Sequence, residues 1–477
     1  MVIEQIYTGC LAQGAYYIES NGEVAIIDPL REVQDYIERA EKNKAKIRYI
    51  FETHFHADFV SGHLTLAEKT GGIIVFGPNA KTKFDSHTAF DGEVFKVGDI
   101  TITAIHTPGH TMESTTYLLK DKNGKDIAIF TGDTLFLGDV GRPDLAQKMG
   151  VLTEKDLAGF LFDSLREKIM PLADSVIVYP AHGAGSACGK NMMKQTVDTL
   201  GNQKKMNYAL RATMTKQEFI EEVTQGLLPP PQYFPLNVSM NKHGYEDSSE
   251  VLKRGTKELS PEAFEAIANQ TGAIILDVRH QDAFAKGHIP RAIFIGLDGG
   301  FAPWVGALIA DVKQPLLLIT EPGQEQEAVT RLSRVGFDNT LGYLKGGFDA
   351  WKNHHLPVWG GEYTPSKAFG EGAETTGDIK NIKPEDAIKT PPQYQFDVRP
   401  FAEYQKFSLP NSIHCPTGRL GALSISNSSI YLHCAGRTRG IIAAQTLTDQ
   451  DFKASIYGIT GGTQGRELAV GARSSNN

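Results

Sequence analysis

Directly after a β-branched run ending at Phe51 comes Thr53-His54-Phe55-His56-Ala57-Asp58-Phe59, an HxHxD cluster of ligand-type side chains. Imidazole nitrogens and carboxylate oxygens are the donors that hold zinc or non-haem iron, and a strand's C-terminal end is where an α/β layer builds its sites. Three later segments repeat the setting: Thr107-Pro108-Gly109-His110, Phe130-Thr131-Gly132-Asp133 and Tyr179-Pro180-Ala181-His182-Gly183 each follow a β-like run and a tight turn. A lone histidine is more often a core or surface group than a ligand. Four such clusters, each at a strand end, reverse that reading and point to metal chemistry.

A second chemistry is written near the C-terminus. The strand-like Ser429 to His433 runs into Cys434-Ala435-Gly436-Arg437-Thr438-Arg439-Gly440 and then into the helical Ile441 to Leu447. Strand, six-residue loop and helix put the sulfur at a helix N-terminus among backbone N–H groups. With Arg437 and Arg439 beside it the thiol ionises easily, and the thiolate is the reactive form. Cys434 is therefore the candidate nucleophile. Cys10, Cys188 and Cys415 lack comparable surroundings and read as packing residues.

The elements that must position these groups divide the chain into parts. At 477 residues it is too long for one core, since single cores stop growing at roughly 250–300 residues. The first part alternates β-branched runs such as Glu23 to Asp28 with amphipathic stretches such as Val33 to Lys42, and the Pro-rich Leu228 to Pro235 ends it. A pattern then occurs twice. Ala273 to Arg279 matches Tyr394 to Arg399, Ile289-Pro290 matches Leu409-Pro410, Leu316 to Ile319 matches Ser429 to Leu432, and Gly346-Gly347 matches Gly461-Gly462. The reading is one α/β domain over residues 1–245 and two copies of a smaller one over 255–360 and 376–475, with a Gly/Thr/Glu-rich linker between the copies.

Composition narrows the function classes. A 41% hydrophobic, 22% charged chain is an ordinary globular one, and a net charge of −8 without a basic block argues against nucleic acid and anionic membrane as partners. No stretch reaches the length of a membrane span and the N-terminus does not resemble a signal peptide, so a cytoplasmic protein is expected. Only 4 cysteines with no CxxC spacing argue against a disulfide framework and a cysteine-based zinc site. A homo-oligomer is expected.

Over about residues 1–240 the four ligand segments resemble the metallo-β-lactamase superfamily. The resemblance implies an αββα sandwich with the metal in a cleft at one edge. Dizinc hydrolases of that superfamily, such as glyoxalase II, carry HxHxDH, whose last histidine helps to hold a second ion. Here that position is Phe59, which has no lone pair to offer. A single-metal site is the better reading. Resemblance to the persulfide dioxygenases of the superfamily implies one Fe(II) per chain held by His54, His110 and Asp133, a facial set that leaves positions for O₂ and substrate. Zinc binds such donors too but cannot pass electrons to oxygen. His56, Asp58 and His182 are then expected to orient ligands or water, with direct ligation as the alternative. His63, His87 and His106 read as ordinary residues. Arg142 lies where those relatives carry a substrate-facing Gly-Arg segment, and two readings stay open: a bidentate clamp on a substrate anion, or a salt bridge within its loop.

Over about residues 380–470 the Cys434 loop, with Asp397-Val398-Arg399 and Gly461-Gly462, resembles the rhodanese sulfurtransferases. These carry a persulfide on the loop cysteine, cradled by loop amides, so Gly436, Arg437, Thr438 and Arg439 are the expected substrate-binding residues. Aligning Leu316 to Ile319 with Ser429 to Leu432 puts Glu321 opposite Cys434, and Glu321 to Gln326 has neither nucleophile nor arginines. The middle module reads as a rhodanese-like spacer or interface without sulfur transfer. The combined expectation is O₂-dependent oxidation of a low-molecular-weight thiol persulfide to sulfite, coupled to sulfur transfer at Cys434 that forms or uses thiosulfate. The rivals are a dizinc thioester hydrolase with an appended sulfurtransferase, and a sulfur carrier whose metal domain is structural.

Overall fold

The computed structural model describes residues 1–146, 151–227, 229–290, 292–298, 300–309, 311–354, 379–382, 394–398, 412–414, 429–433 and 455–459. Met1–Val251 forms the body of one compact unit, and a second begins at Leu252. The first holds two six-stranded sheets. One consists in spatial order of β1 (Val2–Thr8), β2 (Gln13–Ser20), β3 (Glu23–Ile27), β4 (Lys46–Phe51), β5 (Ile73–Phe76) and β6 (His87–Thr88). The other consists of β7 (Val94–Val97), β8 (Ile100–His106), β9 (Thr115–Lys120), β10 (Asp126–Gly132), β11 (Ile177–Pro180) and β12 (Asp198–Thr199), likewise in sequence order.

Alternation along the strands builds the layers. Tyr16, Ile18, Ala25, Ile27 and Phe51 of the first sheet point inward and pack against Phe95, Ile102, Tyr117, Leu119 and Phe130 of the second. Their neighbours Tyr17, Val24, Ile26 and Ile50 point outward onto Tyr36, Ala40 and Leu66 of the helices Gln34–Lys42 and His63–Thr70. On the far side, Leu118, Ile129 and Val178 meet Ala158 and Leu161 of the helix Glu154–Ser164 and Phe219 and Val223 of the helix Lys216–Thr224. Burial on both faces explains why these strands are apolar nearly throughout. The result is the expected αββα sandwich.

The second unit contains two five-stranded parallel sheets with the same strand order. The first comprises β13 (Glu258–Leu259), β14 (Ile274–Asp277), β15 (Ile293–Phe294), β16 (Leu316–Ile319) and β17 (Thr340–Leu344), ordered β13-β17-β16-β14-β15. The second comprises β18 (Ile379–Ile382), β19 (Tyr394–Asp397), β20 (Ile413–His414), β21 (Ser429–His433) and β22 (Ser455–Ile459), ordered β18-β22-β21-β19-β20. The internal repeat is thus a repeat of topology.

Register corrects one alignment. Asp277 pairs with Ile319 in the first copy and Asp397 pairs with His433 in the second. Ile319 is therefore the counterpart of His433, and Thr320, not Glu321, stands where Cys434 follows β21. The physical reason is that Leu316–Ile319 is buried at every position, so its apolar pattern carries no register information and only the hydrogen-bond ladder does. The buried Thr320 donates its hydroxyl to Glu325 Oε1 at 3.3 Å. A hydroxyl in place of the thiol leaves this copy without a sulfur nucleophile all the same. Cys434, Gly436, Arg437, Thr438 and Arg439 lie outside the described residues, as does Cys415. Among the described residues no helix is long and apolar enough to cross a membrane.

Candidate metal centre

All four ligand segments lie at one edge of the sandwich. The HxHxD loop leaves β4, the His110 turn joins β8 to β9, Asp133 follows β10, and His182 follows β11. Backbone bonds tie them together: Thr115 N–H donates to Thr53 O at 2.9 Å and Ala181 N–H to Gly132 O at 3.1 Å. Two glycines permit the approach. A Cβ on Gly109 (φ +149) would lie 2.4 Å from Leu161 Cα, and one on Gly132 (φ +52) would lie 2.6 Å from Thr53 Cβ. The helix Glu154–Ser164, which opens with a Thr153/Asp156 capping box, thereby packs directly against the His110 turn, where Ser164 Oγ donates to Pro108 O at 2.8 Å.

His54, His110 and Asp133 offer ligand atoms within 4.8 Å of one another, and all three are buried. His110 Nδ1 sits 2.8 Å from Arg142 O, which can only accept, so Nδ1 carries the proton and Nε2 the lone pair. His54 Nδ1 is 3.0 Å from Thr53 Oγ1, whose own hydrogen goes to Asp28 Oδ2 at 2.8 Å, so His54 has the same tautomer. The two Nε2 atoms lie 4.0 and 3.5 Å from Asp133 Oδ2. That oxygen is buried with no hydrogen-bond partner. A buried acceptor left without a donor is destabilising by about 1–3 kcal/mol. Two lone pairs and an orphaned carboxylate oxygen facing one point fit a bound cation. Burial lowers the His54 pKa, reinforced by the neighbouring His56, which keeps the ring neutral as a ligand must be.

Asp133 is held from behind. Its Oδ1 is 2.8 Å from His182 Nδ1, and His182 Nε2 is 2.8 Å from Asp58 Oδ2. Burial pulls the His182 pKa down, but Asp133 and Asp58 outweigh it and raise it well above the ordinary imidazole value. Burial opposes the Asp133 charge, yet His182 and His110 hold its carboxyl far below the usual range. Asp58, His182 and Cys188 form a second group of convergent ligand atoms. Sequence reasoning assigned Cys188 to packing; its thiol is buried at this site, and desolvation, then Asp58 and Asp133, push its pKa up. The spacing from His182 was the available signal.

A third group, Asp28, Glu52 and His56, was missed apart from the histidine. His56 Nε2 is 3.1 Å from Asp28 Oδ1 and 3.4 Å from Glu52 Oε2, and His63 Nδ1 is 3.4 Å from Glu52 Oε1. Ser61 Oγ also donates to Glu52. Burial works against a charged His56, but Asp28 and Glu52 prevail and raise its pKa to about 10. His63 is thus buried against Glu52 beside this group, whereas His87 is exposed beside Glu93 and His106 bonds the Met112 carbonyl.

Arg142 makes a salt bridge within its loop. Its Nε and Nη2 donate to the two carboxylate oxygens of Asp144 at 2.7 Å each, and Nη1 donates to Ala187 O at 3.2 Å. The guanidinium fork is engaged by Asp144, and the Arg142 carbonyl accepts from His110 Nδ1. Phe59 is fully buried, its ring centroid 4.3 Å from that of His56.

The metallo-beta-lactamase superfamily profile matches residues 8–182 and the rhodanese-like domain profile residues 260–354. A cytoplasmic hydroxyacylglutathione hydrolase of Arabidopsis thaliana is 36% identical over 138 residues, covering 28% of this chain and 53% of the plant protein. The chain thus spans about half the length of that relative. A mitochondrial persulfide dioxygenase of Mus musculus is 28% identical over 221 residues, covering 46% of this chain and 78% of the mouse protein. The crystal structure of a metallo-beta-lactamase from Staphylococcus aureus subsp. aureus COL is 30% identical with a TM-score of 0.63, covering 72% of this chain and 98% of that one.

Proposed function

Because the chain belongs to the metallo-beta-lactamase superfamily and carries a rhodanese-like domain, we propose that it is a persulfide dioxygenase joined to a sulfurtransferase. In the first reaction a low-molecular-weight thiol persulfide, O₂ and water give the thiol, sulfite and protons; the outer sulfur is oxidised and O₂ reduced. In the second, the Cys434 thiolate takes the outer sulfur of another persulfide and releases its thiol. Sulfite then attacks that sulfur, forming thiosulfate and returning the Cys434 thiolate. A reducing compartment such as the cytoplasm keeps these thiols available.

The observation that carries the reading is Phe59, a buried ring at the position where two-metal relatives place a histidine, beside a complete trio of His54, His110 and Asp133. One Fe(II) held there supplies open coordination positions and the electron transfer that O₂ chemistry needs. The chain's own residues supply rigidity. Thr53 and the Arg142 carbonyl fix the two ligand tautomers, and His182 with Asp58 aims Asp133.

A dizinc thioester hydrolase is the second reading. The identity to the plant hydrolase favours it, as does the Asp58, His182 and Cys188 group, whose ligand atoms converge tightly enough for a second ion. Metal analysis of anaerobically purified protein decides between them. The proposal expects one iron per chain and persulfide-dependent O₂ uptake. Two zincs per chain, hydrolysis of a glutathione thioester and no O₂ uptake would overturn it. Asp133→Ala should lose iron and O₂ uptake yet retain sulfur transfer to cyanide, and Cys434→Ser should keep O₂ uptake but stop thiosulfate formation.

A further inference from the structure

The HxHxD loop offers two histidines, yet only His54 stands with His110 and Asp133. Asp28, just after β3, reaches the first through Thr53 and lies directly against the second. It is held at φ +51, a left-handed conformation that a residue with a Cβ seldom adopts. Its Oδ2 accepts the Thr53 hydroxyl at 2.8 Å, and Thr53 Oγ1 in turn accepts His54 Nδ1–H at 3.0 Å, leaving His54 Nε2 for the ion. Its Oδ1 lies 3.1 Å from His56 Nε2, with Glu52 Oε2 at 3.4 Å from the same nitrogen. The His56 ring centroid lies 4.2 Å from that of His54 and 4.3 Å from that of Phe59.

We propose that Asp28 is the positioning residue that sorts the two histidines: through Thr53 it presents His54 as a ligand, and by direct pairing, with Glu52, it withholds His56. The inference rests on the reading that His54, His110 and Asp133 hold the metal. Its consequence is selectivity. Two imidazoles and a carboxylate with open positions suit iron, whereas a third imidazole completes the closed tetrahedral set that zinc prefers.

Cobalt(II) added anaerobically to the metal-free full chain is the probe, read by its visible absorption and by the cobalt-to-protein ratio. The wild type should take one cobalt with the weak bands of a five- or six-coordinate ion. In Asp28→Asn the freed His56 should join, raising the absorptivity several-fold over the wild type. His56→Gln should bind one cobalt with the wild-type spectrum, and Asp28→Asn/His56→Gln should return to that spectrum. A merely structural role for Asp28 would not produce this rescue. The proposal is overturned if Asp28→Asn is spectroscopically silent, if its change persists in the double variant, or if His56→Gln loses the metal. Should Asp28→Asn not fold, Glu52→Gln must show a shift in the same direction, and its absence counts equally against the proposal. Asp133→Ala separates the two levels: cobalt binding that survives it sinks the metal reading itself. Loss there alongside a silent Asp28→Asn sinks only the sorting.

Discussion

Thr53→Val removes one hydroxyl while keeping the shape of the side chain. That hydroxyl is buried, donates to the Asp28 carboxylate at 2.8 Å and accepts from His54 at 3.0 Å. A hydrogen bond to a charged group contributes about 1.5–3 kcal/mol, and the imidazole N–H deprived of its partner adds about 1–3 kcal/mol. The metal-free protein should therefore lose roughly 3–5 kcal/mol in urea unfolding. Because His54 is no longer held in one tautomer, metal affinity should fall a further ~10–100-fold, the usual effect of losing a partner behind a ligand. A competition titration against a chromophoric chelator measures that fall. Thr224→Val is the control: its hydroxyl donates to Ile220 O at 2.7 Å within the helix Lys216–Thr224, so stability should drop modestly with no change in metal affinity. A Thr53→Val protein that binds metal within twofold of the wild type would refute the relay from Asp28 to His54.

Other regions yield further tests. His288 stacks on Phe284 with centroids 3.9 Å apart, and burial together with nearby Arg279 lowers its pKa from 6.5 to about 4. The unfolded chain therefore binds the proton first as pH falls. Stability of this module is full above about pH 6.5 and declines toward pH 4 by up to ~3 kcal/mol; a urea midpoint as flat with pH in the wild type as in His288→Gln would contradict it. Gly109→Ala drives a Cβ into Leu161 and should reduce stability by about 1–3 kcal/mol and weaken metal binding. Gly9→Ala, with nothing within 4 Å, should be silent in both the thermal melt and the titration. Arg142→Lys gives up the two parallel bonds to Asp144 and should lower stability by about 1–3 kcal/mol. It should still hold one metal, because a backbone carbonyl orients His110, and metal loss in a folded variant would show that the guanidinium matters directly. Thr320→Cys in a Cys434→Ser background should not restore cyanide-dependent sulfur transfer, since Glu321 and Glu325 occupy that loop; recovery to a tenth of wild-type rate would show the loop frame suffices.

The ligand segments were readable from sequence because each is a local signal: an apolar run, a tight turn, then His or Asp. The sandwich came from resemblance, since short strands buried on both faces carry little periodicity of their own. What sequence did not yield depends on lateral neighbours. Thr320 was misplaced by one residue because Leu316–Ile319 is uniformly apolar, and only pairing with Asp277 fixes it. Arg142 stays open between two readings in the sequence because its partner's geometry is a property of the folded loop. Asp28 went unnoticed because nothing local distinguishes it from any carboxylate after a strand. Its importance arises from the parallel pairing of β3 with β4, which brings the ends of both strands to one edge, with Asp28 N–H donating to Phe51 O at 2.9 Å. Two adjacent parallel strands thus deliver Asp28 and Glu52 beneath the histidine loop. The letters HxHxD state which donors are available, while the carboxylates of the neighbouring strand ends decide which of them faces the ion.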